Sequence, residues 1–355
     1  MIVDASAPES IAACARKIRA GGLIGLPTET VYGLAADASN DEAVATIFAA
    51  KGRPATHPLI VHICAHDGGM SAVAHFCNKV PPFAQQLMTA FWPGPLTLIL
   101  PRRAGVASAT AGGQESIGLR CPSHPTAQAL LVALRTPVEG EAEVWGLAAP
   151  SANRFGRVSP TTAAHVQSEL GDTLLVLDGG PCGVGIESTI IDCTRGQPVL
   201  LRPGAITRLQ VEQACGRKLL SNQELVAQVP QGLEAPRASG TLESHYAPNA
   251  RVRLMDARAL QTAVDVLSET IAPSGSPSIA IYARTVLKKI PRQIVFRRMP
   301  DDAQAVAQQL FAVLRELDAS AVKLIWVETP PDTEAWEGVL DRLSRAAADG
   351  SSQRD

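Results

Sequence analysis

The sequence predicts an α/β fold: a large twisted sheet through about residue 206, then a second, smaller open α/β domain of Rossmann-like pattern. Three observations carry this. Apolar runs of strand length alternate irregularly with helical periodicities up to that point. A polar stretch holding Pro230, Gly232, Pro236 and Gly240 follows. From residue 250 strand and helix alternate regularly. The 355 residues suit two domains better than one. Aromatics make up only 4%, so the core has to be built from Ala, Val, Leu and Ile.

Residues 10–20 read as an amphipathic helix stopped by Gly21-Gly22. The run 23–26, closed by Pro27, reads as a buried strand. Residues 41–51 repeat apolar side chains at helical spacing, with Asn40 or Asp41 able to cap the start. Strands are predicted at 59–63, 96–100, 116–120, 146–149, 174–177, 188–192 and 199–201, and helices at 83–91, 125–135, 161–170 and 206–215. In the second domain strands fall at 251–255, 278–283, 293–297 and 322–327, and helices at 257–271, 302–318 and 334–347. The division is 1–206 for the first domain, 207–249 for a linker and 250–350 for the second domain.

Charge narrows the function. The net charge is −2, and the first 205 residues hold 14 Lys and Arg against 16 Asp and Glu. A domain that grips nucleic acid by its backbone usually carries a basic excess, so local positive charge here suits a small anionic ligand. The seven Cys are odd in number and form no C-x-x-C pair, which argues against a disulfide framework or a zinc site and for small buried hydrophobes. No stretch reaches a membrane span and the N-terminus has no basic leader, so the chain reads as cytoplasmic. The P-loop, the G-x-S-x-G elbow and any His pair at metal-ligand spacing are missing from the sequence.

What the sequence does carry is a series of short polar segments at strand ends: Pro27–Leu34 (PTETVYGL), Lys51-Gly52-Arg53-Pro54 with His57 to His62, Ser116 to Arg120, Ala149 to Asn153, Ser159-Pro160-Thr161, Glu187 to Ile190, and Leu201 to Gly204. Ligands bind α/β sheets where strand ends converge. Each piece alone has a structural reading. Lys51 and Arg53 suit a helix C-terminal dipole, Ser151 and Ser159 suit caps, and Arg120 and Arg202 suit surface ion pairs. Together, cations and hydroxyls recurring at strand ends point to one shared pocket for anionic groups.

Taken in order, these segments resemble the threonylcarbamoyl-adenylate synthase (YrdC-like) family over residues 1–206. The resemblance includes the Lys-x-Arg pair Lys51/Arg53 and the Ser-x-Asn pair Ser151/Asn153. His245-Tyr246-Ala247-Pro248 and the small C-terminal α/β domain resemble the long, two-domain form. The resemblance implies a twisted mixed sheet with a concave cavity and a nucleotidyltransferase that joins L-threonine, bicarbonate and ATP. The product, threonylcarbamoyl-AMP, would pass to a tRNA threonylcarbamoyl-transferase complex for threonylcarbamoyl-adenosine modification beside the anticodon. The resemblance places L-threonine on Thr30, His62, Arg120, Ala149 and Ser188. It places ATP on Arg53, His57, Ser116, Ser151, Ser159, Arg202 and Tyr246, with Lys51, Arg53, Ser151 and Asn153 as catalytic groups at the phosphates. Mg2+ is expected to arrive with ATP, with no protein metal site. The linker is expected to act as a lid.

Two positions depart from the family pattern. His57 stands where many relatives carry Asn, and Ser239-Gly240 where Pro-Gly is common. One rival reading is a non-catalytic RNA-binding module of the same fold, with a weak double-stranded RNA or tRNA contact. Another is a hydrogenase-maturation protein, whose additional modules and paired cysteines are not visible here.

Overall fold

In the computed structural model, which describes residues 1–228, 235–240, 245–270 and 278–348, strands from the whole first part of the chain join one sheet. The chain divides into two units, Met1–Phe155 with Ser159–Thr241, and Gly156–Val158 with Leu242–Asp355.

In the first unit the elements run β1 (Ile2–Asp4), α1 (Pro8–Arg19), β2 (Ile24–Leu26), β3 (Gly33–Asp37), α2 (Asp41–Lys51), β4 (Ile60–His62), α3 (Met70–Phe76), α4 (Pro82–Phe91), β5 (Leu96–Pro101) and β6 (Ser116–Arg120). They continue with α5 (Pro125–Arg135), β7 (Leu147–Ala148), α6 (Ala163–Leu170), β8 (Leu175–Asp178), β9 (Thr189–Asp192), β10 (Val199–Arg202), α7 (Arg208–Cys215), β11 (Leu220–Ser221) and α8 (Asn222–Gln228). Among the described residues the sheet order is β1-β8-β2-β3-β7-β4-β6-β5-β9-β10-β11, with parallel and antiparallel pairs mixed.

Side-chain alternation decides what each face does. Val61 of β4, Leu119 of β6, Leu98 of β5 and Ile191 of β9 point into one core with Phe48 of α2 and Leu87 of α4. A second core gathers Ile18 of α1, Leu130 and Leu134 of α5, Ile24 and Leu177. With Val61, Leu119 and Leu98 turned into the first core, parity puts His62, Arg120 and Thr97 on the opposite face of the central strands. Burial of this apolar set supplies most of the stabilisation, at about 25 cal/mol per Å² of apolar surface.

The expected helices and strands are present with ends shifted by a residue or two, except that the last helix, expected from 334, begins at Glu337 after a 3-10 turn over Glu334–Trp336. Elements the sequence reading missed have physical reasons. β3 is Gly-Leu-Ala-Ala-Asp, poor in β-formers, and is a strand because β2 and β7 pair on either side of it. In the stretch read as linker, Ser221 accepts from the Glu224 N–H at 3.1 Å while the Glu224 carboxylate accepts from the Ser221 N–H at 2.7 Å. That Ser-x-x-Glu capping box starts α8, and Leu225 packs on Val199 and Leu220. Pro230, Gly232, Ser244 and Ile271, parts of the predicted linker and helix, lie outside the described residues.

In the second unit β12 (Arg251–Met255), α9 (Ala257–Thr270), β13 (Ile279–Ala283), β14 (Ile294–Arg298), α10 (Ala303–Ala319), β15 (Leu324–Glu328) and α11 (Glu337–Ala347) form a parallel sheet of order β12-β15-β13-β14. Leu260 and Val264 of α9 pack on Ile279 and Ile281, and Gln309 of α10 donates to the Tyr282 hydroxyl at 3.2 Å. Successive residues of β13 thus meet different helices, the open doubly covered arrangement the alternation predicted. At the C-terminal end of the sheet, buried Glu328 accepts from the N–H groups of Arg284 and Thr285 at 2.7 and 2.6 Å. All seven cysteines are free and buried. Burial pushes the thiols of Cys14 and Cys121 up to about 11 and about 12, which keeps them inert. Among the described residues no helix is long and apolar enough to cross a membrane.

Candidate functional site

The centre of the site is a row across three strands. His62 of β4 pairs in register with Arg120 of β6, which pairs with Thr97 of β5. Arg120 is buried, and its Nη1 donates to the Thr30 hydroxyl at 2.7 Å. Thr28 spends its one proton on the Val31 carbonyl at 2.6 Å, so Thr30 donates to Thr28 across 3.0 Å while accepting from Arg120. The PTET segment is therefore a turn that presents hydroxyls to the guanidinium. His62 is buried, and desolvation, then Arg120, pulls its imidazole down to about 3. The ring is neutral near pH 7, and its Nδ1 has no hydrogen-bond partner.

A second cationic pair adjoins the row. The Thr97 and Ser188 hydroxyls lie 2.7 Å apart. Arg202, at the end of β10, donates to the Ser188 hydroxyl at 3.1 Å and to the Ser188 carbonyl at 2.9 Å. Its Nη1 donates to the Ser239 carbonyl at 3.0 Å. The Ser239 hydroxyl accepts from Arg53 at 3.2 Å and donates to the Pro58 carbonyl at 2.7 Å. Segment 235–240 is pinned further by the Arg237 N–H donating to the Gln114 side chain at 2.7 Å. Ser239 thus supplies oxygen acceptors between two buried guanidiniums, the place an anion would take.

Lys51 and Ser151/Asn153 meet through the backbone. Buried Lys51 donates to the Ser151 carbonyl at 2.5 Å and also to the Asn153 carbonyl. Burial first, then Arg53, pulls its ammonium down to about 7, opposed by Glu169. The Ser151 strand bridges Gly33, and a Cβ at Gly33 would meet the Ala149 Cβ at 3.0 Å, so this turn and the PTET turn approach too closely for a larger residue. Ala149 donates its N–H to Ile60 at 3.0 Å. Ser159 donates to the buried Glu187 carboxylate. Ser116 opens β6 on the Arg120 face. The His57 ring lies 5.6 Å from that of Phe155, and burial, Arg53 and Arg237 lower its pKa. Tyr246 belongs to the second unit, where its ring is buried 5.4 Å from Phe311 and 5.5 Å from the Arg342 guanidinium.

The residues gathered around Arg120, Arg202 and Arg53 also include Thr97, Glu29, Glu187 and Ser239, to which the sequence gave no role. Thr97 was signalled only by standing alone in an apolar run, and Ser239 by its departure from the family pattern. Cations, hydroxyls and a neutral imidazole at converging strand ends are the makings of a site for small anionic molecules.

The family described as "Telomere recombination" (Sua5, YciO and YrdC) matches residues 16–204, and "Threonylcarbamoyl-AMP synthase, C-terminal domain" matches residues 206–348. The chain belongs to this family. Threonylcarbamoyl-AMP synthase of Bacillus subtilis is 36% identical over 95% of this chain and 92% of its own length. That of Pyrococcus abyssi is 34% identical over 93% and 92%. The crystal structure of P. abyssi Sua5 complexed with L-threonine superposes with a TM-score of 0.82 at 31% identity, covering 98% of this chain and 97% of that one.

Proposed function

We propose that this chain is a threonylcarbamoyl-AMP synthase, a nucleotidyltransferase working in the cytoplasm. The observation that carries the reading is the continuous set of contacts Arg53–Ser239–Arg202–Ser188–Thr97, beside Arg120 and Thr30. In this reading Arg120 grips the threonine carboxylate bidentately, while Thr30, His62, Ser188 and the backbone of Ala149 complete the threonine pocket. Arg53, His57, Ser116, Ser151, Ser159 and Arg202 hold ATP. The triphosphate displaces Ser239, so segment 235–240 serves as a lid.

Bicarbonate loses water to give CO2, to which the threonine amine adds; overall the ammonium and bicarbonate become an N-carboxylate with release of one water and one proton to solvent. A carboxylate oxygen attacks the α-phosphorus, the α–β bridging P–O bond breaks, and pyrophosphate leaves. Both reactants are anions, so fixed cations offset their repulsion and stabilise charge gathering on the phosphorus oxygens. Positioning supplies much of the rest. The cations and hydroxyls of this contact set suit phosphates, and Mg2+ enters on the triphosphate. The product goes to the tRNA threonylcarbamoyl-transferase complex. No observation favours the RNA-module reading.

The test is direct. Purified protein incubated with L-threonine, bicarbonate and Mg-ATP should yield threonylcarbamoyl-AMP by mass detection, with equal pyrophosphate. Pyrophosphate release that ignores threonine would refute the assignment.

A further inference from the structure

The arginine read as the carboxylate clamp already carries a counter-ion that the roles above do not use. Glu29 Oε1 lies 2.6 Å from Arg120 Nη2, and the two side chains are only 12% and 4% exposed. The charges touch, yet neither atom is aligned in a hydrogen bond: both are buried polar atoms without a hydrogen-bond partner, as is His62 Nδ1 in the same row. The rest of Glu29 is fixed. Its Oε2 accepts from the Ser123 N–H at 3.2 Å, and its carbonyl accepts from the Val184 N–H at 2.7 Å. Arg120 is fixed too, by Thr30 at 2.7 Å and by the Gly94 carbonyl at 3.4 Å.

The two atoms form an ion pair whose geometry is not that of a hydrogen bond, so a ligand that offers a better-aligned donor and acceptor can exchange with it. A free α-amino acid is a zwitterion with its ammonium and carboxylate on the same carbon. It can give Glu29 a cation and Arg120 an anion at once, each free to align as a hydrogen bond.

We propose that Glu29 receives the α-ammonium of the amino-acid substrate while Arg120 takes its carboxylate, so that this pair selects a zwitterion over a simple carboxylic acid. This rests on the threonine reading above and adds a specificity-determining residue to it. The electrostatics are balanced. Arg120 facing Glu29 presents no net charge, so a lone carboxylate gains little by entering beside a fixed anion. The zwitterion swaps one ion pair for two.

The experiment is calorimetric titration of L-threonine and of its hydroxy-acid counterpart, in which a hydroxyl replaces the amine. Wild-type protein should prefer threonine by about 10- to 100-fold, the worth of a charged hydrogen bond. Glu29→Gln should reduce that preference to within about threefold while the hydroxy acid binds as well as before or better. Should Glu29→Gln fail to fold by circular dichroism, Glu29→Asp, which keeps the charge on a shorter arm, should retain a preference intermediate between the two. Overturning results are an unchanged preference, or equal weakening of both ligands, which would make Glu29 only a brace for Arg120. Wild-type protein that binds no threonine would instead defeat the threonine reading itself.

Discussion

Arg120→Ala lowers kcat/KM for threonine by about 100- to 1,000-fold, the cost of truncating one side of a desolvated charge pair. KM for ATP in the residual reaction changes far less, because Arg53 and Arg202 are held by contacts of their own to Ser239 and Ser188. The variant also strands the Glu29 carboxylate, and removing one member of a buried pair can cost about 3–5 kcal/mol. Glu29 keeps its Ser123 hydrogen bond and some solvent, so the loss falls short of that range. Stability and function separate in the double variant Arg120→Ala/Glu29→Gln. Its melting temperature recovers towards wild type while threonine-dependent turnover stays lost. Arg120→Lys keeps the charge but not the planar fork, and recovers little threonine affinity. Steady-state kinetics on the three variants with parallel thermal melts check this.

Lys51→Ala impairs the nucleotide step, with kcat/KM for ATP down about 100-fold. The reason lies in the backbone. Lys51 is buried and donates to the carbonyls of both Ser151 and Asn153, so it fixes the turn that carries Ser151. Lys51→Met, which keeps the stem and removes the donors, behaves like the alanine variant if the two carbonyl contacts matter, and like wild type if only packing does. The pH dependence of stability gives a second readout. In the folded chain the ammonium is pulled from 10.5 down to about 7, chiefly by burial. Between those values the unfolded chain holds a proton that the folded chain has released. The contribution of Lys51 to stability therefore rises with pH from 7 to 10.5 and is flat below 7. Denaturant titrations at pH 7 and pH 9.5 show a smaller rise for Lys51→Met than for wild type.

Much of this was legible in the sequence because polar residues close apolar strand runs. His62 after Ile60-Val61 and Arg120 after Gly118-Leu119 are marked as strand-end groups by that pattern alone. The register itself was not legible: nothing local says that β4 pairs with β6 at His62 and Arg120. Glu29 was hidden for a related reason. Within PTET it reads as one more solvated carboxylate, and only the fold brings Arg120, ninety-one positions on, to 2.6 Å from it. The contacts of Lys51 were not legible either: beside Arg53 it reads as a phosphate ligand, and only the fold brings its ammonium to the carbonyls of Ser151 and Asn153. Helix α8 could have been read from Ser221-x-x-Glu224, but the surrounding Pro and Gly outweighed a single capping box.

The site around Arg53, Arg120 and Arg202 is expected to bring two mutually repelling anions together on fixed cations. A crystal structure with L-threonine and a non-hydrolysable ATP analogue tests it most directly. The threonine carboxylate is expected on Arg120 and the triphosphate between Arg53 and Arg202 in place of Ser239, with amine and α-phosphorus near enough for one carboxylate to bridge them. Ligands found on separate faces of the sheet, or a triphosphate that touches neither arginine, would contradict it.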